Sequence, residues 1–267
     1  MLKCFRHLGA DIKSNYVACL NNPNVRNLRG GLFSKDATSI SAPTVRIRKA
    51  LSKDIPQVLK LFSKTFHENE PLINGLQMSS DYYSPALREL WRTYLEQGMS
   101  LMAIPQKYKS DSPVFGAVVN TKCCPWDPDF LNKVTACVRC PKTSDLINLW
   151  ALFTRESKVH EKYNLNSFFH INHVLINEKS SLDYSYKLDK SSLSKILVGM
   201  SLQLARSRGY DVACLTTTSQ HMAEVASEAG MDLIWEYPYE KLLNNDLNPI
   251  VKWKEPDTHV KVFATKF

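Results

Sequence analysis

The sequence predicts a mixed α/β (α+β) domain in which helices flank one central twisted sheet. Three observations predict this class. Apolar residues recur at helical spacing in several segments, apolar runs of strand length separate those segments, and glycine or proline stands where one pattern changes to the other. With 267 residues, of which 44% are apolar, the chain is long enough to bury one substantial core. The predicted order of elements is βααββαβαβαβ.

The first part of the domain is predicted to contain one strand and two helices. Residues 45–48 alternate between apolar and charged side chains, as a half-buried strand does. Asp54 is expected to cap the helix that follows. The apolar residues of this helix are Ile55, Val58, Leu59, Phe62 and Phe66. Ser84 and Pro85 predict the start of the second helix, and Gly98 predicts its end. The apolar face of the second helix carries Leu87, Leu90, Trp91, Tyr94 and Leu95.

A hairpin, a loop and a helix are predicted before the central strand. Two apolar runs, 99–104 and 114–120, flank a polar segment with two prolines and predict antiparallel strands. The proline-bearing segment 125–141 is expected to be a loop, and a strand is expected over 168–176. Between them, one helix is predicted from the apolar residues Leu146, Leu149, Trp150 and Phe153.

The last third is predicted to alternate strands and helices. Strands are expected over 210–215, 231–237 and 259–264. The first helix has an unambiguous period and ends at Gly209, and the second ends at Gly230. Apolar residues mark the first helix at Leu193, Ile196, Leu197, Met200 and Leu204.

Residues 1–43 are expected to form a basic N-terminal extension, with the domain at 44–267. The extension carries six basic and two acidic residues, half of the net charge of +8. An acid-poor, arginine-bearing segment of this kind is typical of a mitochondrial presequence, and a disordered basic tail is the alternative. We therefore expect an intracellular protein, in the cytoplasm or, if the presequence is real, in the mitochondrion.

Composition argues against several kinds of partner. No apolar run reaches the roughly 18 residues of a membrane helix, and the remaining charge forms no basic and aromatic stripe for nucleic acid. Seven scattered cysteines predict reduced thiols and, with only Cys137 and Cys140 at zinc-like spacing, no metal site. His170 and His173 are expected on opposite faces of their strand. We expect a monomer.

Five segments carry a more specific pattern: ENEPLINGL, GMSLMAIP, HEKY, CLTTTSQHMAEVASEAGM and PDTHVKVFATK. Together they resemble the GNAT superfamily of N-acetyltransferases, and within it the insect arylalkylamine (dopamine) N-acetyltransferases. The resemblance extends from about Val45 to the C-terminus. It implies a GNAT fold with a splay between the fourth and fifth strands, acetyl-CoA as co-substrate, and direct acetyl transfer to a small primary amine, an arylalkylamine.

The resemblance assigns the general base to Glu70. An alkylamine with a pKa of about 10 is protonated at neutral pH, so a carboxylate must collect its proton before the amine attacks the thioester. The family's serine hydroxyls correspond to Thr218 and Ser219, for which simple helix capping is the alternative. Met222 stands where one family serine is expected. His221 replaces the family's tyrosine and is a candidate proton donor to the departing thiolate.

The implied coenzyme site departs from the family's pattern. The pyrophosphate motif of the family is Arg or Gln, two residues, Gly, one residue, then Gly or Ala, and here it aligns with Asp189, Ser192 and Ser194. Serine suits a helix start and can donate to phosphate, whereas a carboxylate repels a diphosphate. The coenzyme-binding residues that the resemblance implies are Val174, Leu175, Ile176, Lys190, Ser191, Ser192, Leu193, Ser194 and Lys195.

Two functions stay open at this point. The first is acetyl-CoA-dependent acetyl transfer to an amine. The second is a GNAT-shaped protein that has lost turnover and binds a ligand or a partner; an ordinary helix capped by Asp189 or Ser191 fits that reading. Four aromatic residues are expected in the core, with an aromatic-amine pocket as the alternative: Phe62, Phe66, Trp91 and Tyr94.

Overall fold

The computed structural model describes residues 45–78, 84–105, 112–178, 189–244 and 246–267. The expected extension over 1–43 lies outside the described residues and stays a prediction. Within the described ranges, no helix is long and apolar enough to span a membrane.

In the described part of the chain, seven strands form one mixed sheet in the order β1-β2-β3-β4-β5-β7-β6. Neighbouring strands are antiparallel except for β4 and β5, which are parallel. The strands are β1 Val45–Lys49, β2 Leu101–Pro105, β3 Gly116–Cys123, β4 Phe168–Ile176, β5 Val212–Thr217, β6 Asp232–Pro238 and β7 His259–Lys266. The α/β class, the hairpin and the strands of the C-terminal third are confirmed.

Helices pack on both faces of this sheet. They are α1 Ile55–Asn69, α2 Pro71–Gly75, α3 Pro85–Glu96, α4 Asp127–Thr135, α5 Pro141–Glu156, α6 Val159–Tyr163, α7 Lys190–Ser207 and α8 Gln220–Glu228. The Ser84 hydroxyl accepts the Leu87 N–H at 3.4 Å, which confirms it as the cap of α3. Gly209 follows α7 with φ +74°, a left-handed conformation that glycine adopts without strain.

The predicted element order lacks α2, α4 and α6, and two local predictions differ from the structure. Segment 125–141 is not a loop, because α4 begins at Asp127 and has Pro128 in its first turn, where proline costs no hydrogen bond. Asp54 is the N-cap residue of α1, as predicted, but its side chain makes no cap bond. Its carboxylate binds the Arg48 guanidinium at 2.6 and 2.9 Å and accepts the Leu51 N–H instead.

Strands β4 and β5 separate towards their carboxyl ends. They pair only from Phe169 with Ala213 to Ile171 with Leu215, although both strands continue further. The predicted splay between the fourth and fifth strands is therefore confirmed. A bulge lies beside it, because β3 residues 119 and 120 pair with β4 residues 173 and 171, which leaves Asn172 as the extra residue.

The core has one layer on each face of the sheet. On one face, α7 packs Leu193 and Leu197 against a cluster that includes Phe169 and Ile171 of β4. On the other face, Phe62 of α1 stacks on Trp91 of α3 with ring centroids 3.7 Å apart, and both side chains are fully buried. The expectation that Phe62 and Trp91 belong to the core is confirmed.

The cysteines only partly match the expectation of reduced thiols. Cys123 and Cys214 are buried thiols, and burial raises the pKa of each well above its ordinary value. Cys137 is disulfide-bonded, so the expectation is wrong for this residue. Among the described residues, no three histidine, cysteine, aspartate or glutamate side chains come close enough to hold a metal ion.

Candidate active site

Two cavities adjoin at the separation of β4 and β5. The first, of about 250 Å³, lies between the diverging strands and the start of α7, and we name it the splay cavity. The second, of about 70 Å³, lies on the α3 and α5 side of the sheet, and we name it the helix-side cavity. Five residues line both cavities: Glu70, Asn172, His173, Thr216 and Thr218. A ligand in either cavity therefore reaches the same few side chains.

Glu70 is held at the junction of the two cavities by the local sequence. Because the next residue is Pro71, Glu70 is extended (φ −90°, ψ 113°), which ends α1 and starts α2. Its Oε1 accepts the Leu72 N–H at 3.3 Å and the Thr218 hydroxyl at 2.5 Å. The carboxylate is thereby fixed in one orientation.

The surroundings of Glu70 suit a proton acceptor. Burial raises the pKa of Glu70 to about 7, against the opposing effect of the hydrogen bonds from Thr218 and Leu72, and the nearby Asp257 carboxylate raises it further. A general base works best when its pKa lies near the working pH. Glu70 is therefore partly ionised and ready to take a proton at neutral pH.

The two predicted hydroxyl residues after β5 do different things. The Ser219 hydroxyl accepts the Met222 N–H at 3.2 Å, so Ser219 is the cap of α8. Thr218 does not cap the helix, because its hydroxyl donates to Glu70. The Thr218 carbonyl in turn accepts the Tyr239 hydroxyl at 2.7 Å. Thr218 thus links the β6–β7 connection to the carboxylate.

His221 and Met222, in the first turn of α8, both line the splay cavity. The Nε2 atom of His221 is buried, and no described residue gives it a hydrogen-bond partner. A buried ring nitrogen without a partner is unfavourable unless a ligand supplies one. The position therefore fits a side chain that meets a ligand in the splay cavity.

The end of β4 forms one wall of the splay cavity. Val174, Leu175 and Ile176 all line it, and none of them pairs with β5. Backbone polar groups on this edge of β4 are therefore available to a ligand. An extended ligand can add to such an edge as a further strand does.

The predicted residues at the start of α7 are divided between the cavity and other surroundings. Lys190 and Ser194 line the splay cavity, and the Ser194 hydroxyl is buried without a hydrogen-bond partner among the described residues. Ser191, Ser192, Leu193 and Lys195 are not among the lining residues. Leu193 packs in the core, and Lys195 forms an ion pair with Glu228 at 2.5 Å.

Asp189 caps α7. Its Oδ1 accepts the Ser192 N–H at 2.7 Å, and its Oδ2 accepts the Ser192 hydroxyl at 2.9 Å. These bonds hold the pKa of Asp189 below its ordinary value. The carboxylate thus occupies part of the helix N-terminus that the sequence resemblance assigns to a pyrophosphate.

His170 and His173 both line the helix-side cavity, so the expectation that they face opposite sides is wrong. The bulge at Asn172 breaks the alternation of β4 between them. The His170 Nε2 lies 3.0 Å from the Thr216 hydroxyl. Burial lowers the pKa of His170 to about 4 and that of His173 to about 3, so both rings are neutral at pH 7.

Aromatic side chains form much of the remaining wall. Phe66 lines the splay cavity, and Tyr94, Trp150 and Phe153 line the helix-side cavity. The rings of Phe66 and Trp150 each lie 5.4 Å from the His173 ring. Phe66, which is also buried in the core, and Tyr94 therefore line cavities, and their part in an aromatic-amine pocket stays a prediction.

Sequence reasoning missed several lining residues. Asn172 and His173 interrupt the apolar run of β4, and polar side chains inside a buried strand signal a cavity. Asp127 also lines the helix-side cavity. The sequence predicts a loop for this segment, and a loop does not fix where Asp127 lies.

Comparison with solved structures identifies the fold. No family sequence profile matches the chain, and no curated protein matches it by sequence. A mosquito arylalkylamine N-acetyltransferase-like 5b is similar at a TM-score of 0.73 with 16% identity, over 84% of this chain and 100% of that chain. A polyamine N-acetyltransferase of Drosophila melanogaster, which forms N-acetylagmatine, gives a TM-score of 0.70 with 16% identity, over 84% of this chain and 100% of that chain. Arylalkylamine N-acetyltransferase 2 of Aedes aegypti gives a TM-score of 0.70 with 20% identity, over 83% of this chain and 98% of that chain. The chain has the GNAT fold of these N-acetyltransferases.

Proposed function

We propose that this protein is an acetyl-CoA-dependent N-acetyltransferase that acts on a small primary amine. The observation that carries the proposal is the junction of two cavities at Glu70, a carboxylate whose pKa is raised to about 7. The splay cavity takes the acetyl donor and the helix-side cavity takes the amine. The test is an acetyl-transfer assay with a panel of primary amines, in which N-acetylated product and released CoA are both measured.

In the proposed reaction, Glu70 accepts a proton from the substrate ammonium, directly or through one water. The Thr218 hydroxyl keeps the carboxylate oriented and partly ionised. The neutral amine nitrogen then forms a bond to the acetyl carbon while the carbon–sulfur bond breaks. The nitrogen releases its second proton, which replaces the proton that His221 donates to the departing thiolate. Backbone N–H groups at the end of β4 stabilise the negative charge that develops on the carbonyl oxygen.

We infer direct transfer without an acyl-enzyme. Ser219 caps α8, so its hydroxyl is used by the helix. Cys123 lines the helix-side cavity, but burial raises the pKa of its thiol well above the ordinary value, and the thiolate is the nucleophilic form. Neither side chain is therefore activated for covalent catalysis.

The residues of the splay cavity fit acetyl-CoA. Val174, Leu175 and Ile176 present a free strand edge to an extended arm that carries amide groups. Lys190, which also pairs with Glu178 at 2.8 Å, supplies a positive charge, and Ser194 supplies a buried hydroxyl that has no hydrogen-bond partner among the described residues. Both groups are suited to phosphate. Contacts to Ser191, through its backbone N–H, and to Lys195, through its charge, remain part of the proposal. The Ser192 and Leu193 N–H groups already bond Asp189, so a diphosphate would have to displace these bonds.

Replacing Asp189 by asparagine is expected to tighten acetyl-CoA binding. Asparagine is an equally good helix cap, so α7 keeps its start, while the negative charge near the diphosphate is removed. Because Asp189 is exposed and solvent screens its charge, we expect a modest change, roughly a fivefold lower Kd. Isothermal titration calorimetry measures this, with the surface variant Glu240→Gln as the control for charge alone. An unchanged Kd would show that the diphosphate does not meet the start of α7.

Replacing His221 by phenylalanine is expected to lower kcat by about ten- to a hundredfold, since general acid catalysis typically contributes 10² or more. The variant removes the proton that we assign to the departing thiolate but keeps a ring of similar size beside the cavity. The Kd for acetyl-CoA should change little. An unaltered kcat, or an equal loss in kcat and affinity, would remove His221 from the reaction.

The substrate is proposed to be an arylalkylamine or an amine of similar length. The aromatic walls at Tyr94, Trp150 and Phe153 support this, because they accept either an aryl group or a cation over a ring face.

One observation favours the second function, a GNAT-fold protein that binds without turnover. The Asp189 carboxylate already uses the Ser192 N–H. Acetyl-CoA binding without formation of any acetylated amine would support this second function and reject the first.

A further inference from the structure

A second carboxylate lines the helix-side cavity, and the reaction at Glu70 does not use it. Asp127 follows β3 and is the first residue of α4. Its Oδ2 accepts the Cys124 N–H at 3.0 Å, and the Cys123 thiol also donates to the carboxylate. Both donors are neutral, so they orient the group without balancing its charge.

Among the described residues, no cationic side chain forms an ion pair with Asp127. Burial raises the pKa of Asp127 to about 6, against the opposing effects of its two hydrogen bonds and of the attraction to Lys122. The group is therefore mostly ionised at pH 7. A buried anion without a counter-ion is unfavourable, and a bound cation would relieve that cost.

The walls between Glu70 and Asp127 suit a cationic ligand. The rings of Tyr94, Trp150 and Phe153 line the same cavity, and ring faces attract cations. His170 and His173, the histidines that line it, are neutral at pH 7 because burial lowers their pKa values. They therefore accept hydrogen bonds and do not repel a positive charge.

We propose that Asp127 binds a second cationic group of the amine substrate, while the reacting nitrogen lies at Glu70. The preferred substrates are then diamines and amines with a basic tail, ahead of arylalkylamines that carry no second cationic group. The proposal rests on the proposed acetyl transfer, since it assumes that the helix-side cavity takes the amine.

The test compares straight-chain diamines of three to six carbons with monoamines of equal length, which differ only in the terminal amino group. We expect the best diamine to exceed its monoamine in kcat/KM by roughly 30-fold, equivalent to about 2 kcal/mol. Asp127→Asn should remove this preference by a selective loss for the diamine. Asp127→Glu, which keeps the charge, should retain part of it.

Asp129→Asn is the matched control. Asp129 lies two residues further along α4, is 71% exposed and pairs with Arg155 at 3.0 Å on the surface. Its loss should leave the diamine preference unchanged. Thermal unfolding and circular dichroism test whether the Asp127 variants fold. If Asp127→Asn does not fold, Asp127→Ser replaces it in the comparison.

Calorimetric titration of the same amines in the presence of CoA gives a readout that needs no turnover. If diamine binding depends on Asp127 but no amine is acetylated, the acetyl transfer fails and the binding site stands. Equal losses for diamine and monoamine in Asp127→Asn would overturn the proposal. The proposal would also be overturned if the wild type showed no preference for diamines but preferred tyramine to phenethylamine, and Asp127→Asn removed that preference. Asp127 would then bind a neutral hydroxyl and not a second cation.

Discussion

Replacing Glu70 by glutamine should lower kcat by about 10²- to 10³-fold, which is the usual contribution of a positioned general base. Glutamine keeps the shape of the side chain and an oxygen that accepts the Leu72 N–H and the Thr218 hydroxyl. It cannot take a proton from the ammonium. The Kd for acetyl-CoA should stay within about twofold, because the lost group acts on the amine and not on the diphosphate. Steady-state kinetics and calorimetry measure the two quantities.

The thermal stability of Glu70→Gln shows whether a lower kcat comes from the lost general base or from a damaged fold. Burial raises the pKa of Glu70 from 4.5 to about 7, so the ionised carboxylate disfavours the folded state, and stability is lost as pH rises from about 4.5 to 7. Glutamine carries no such charge. At pH 8, the melting temperature of the variant should therefore be no lower than that of the wild type. Glu96→Gln, at the exposed end of α3, is the control. Equal falls in kcat and coenzyme affinity would contradict the assigned role.

Replacing Thr218 by valine should move the pH dependence of kcat/KM to higher pH. In the wild type, kcat/KM for the amine should rise through a pKa of about 7, as Glu70 ionises. The Thr218 hydroxyl stabilises the ionised carboxylate and lowers this pKa, so its removal raises the pKa further. A shift of about one unit would cut kcat/KM roughly fivefold at pH 7.

The loss in the valine variant should largely disappear at pH 9, where Glu70 is ionised in both proteins. This recovery distinguishes a change in proton affinity from a damaged site, which would lower the rate at every pH. Thr135→Val, at the end of α4, removes a hydroxyl that bonds only the Asn132 carbonyl and should leave the profile unmoved. A profile that keeps its midpoint in Thr218→Val would mean that the hydroxyl does not act on the base.

Much of the fold could be predicted because its signals are local. The spacing of apolar residues in α7, the Ser84 cap of α3 and the glycines after helices each act within a few residues of chain. The prediction of a loop over 125–141 was wrong for a physical reason. Proline in a first helical turn and proline in a loop look alike in sequence, and only packing against α5 decides between them.

The site was less accessible from sequence because it depends on distant contacts. Glu70 could be named from its motif, yet its raised pKa and its bond to Thr218 join residues 148 positions apart. The bulge at Asn172, which turns His173 into the cavity, depends on the register with β3. The cap formed by Asp189 was one of two alternatives that the sequence left open, and the structure has that bond.

The account depends most on acetyl transfer at the junction of the two cavities. The direct measurement is to incubate the protein with acetyl-CoA and a panel of primary monoamines and diamines, and to quantify N-acetylated amine and free CoA by mass spectrometry. We predict one molecule of acetylated amine for each CoA released, in a reaction that Glu70→Gln nearly abolishes. Release of CoA without acetylated amine, or no reaction with any amine despite bound acetyl-CoA, would contradict the account.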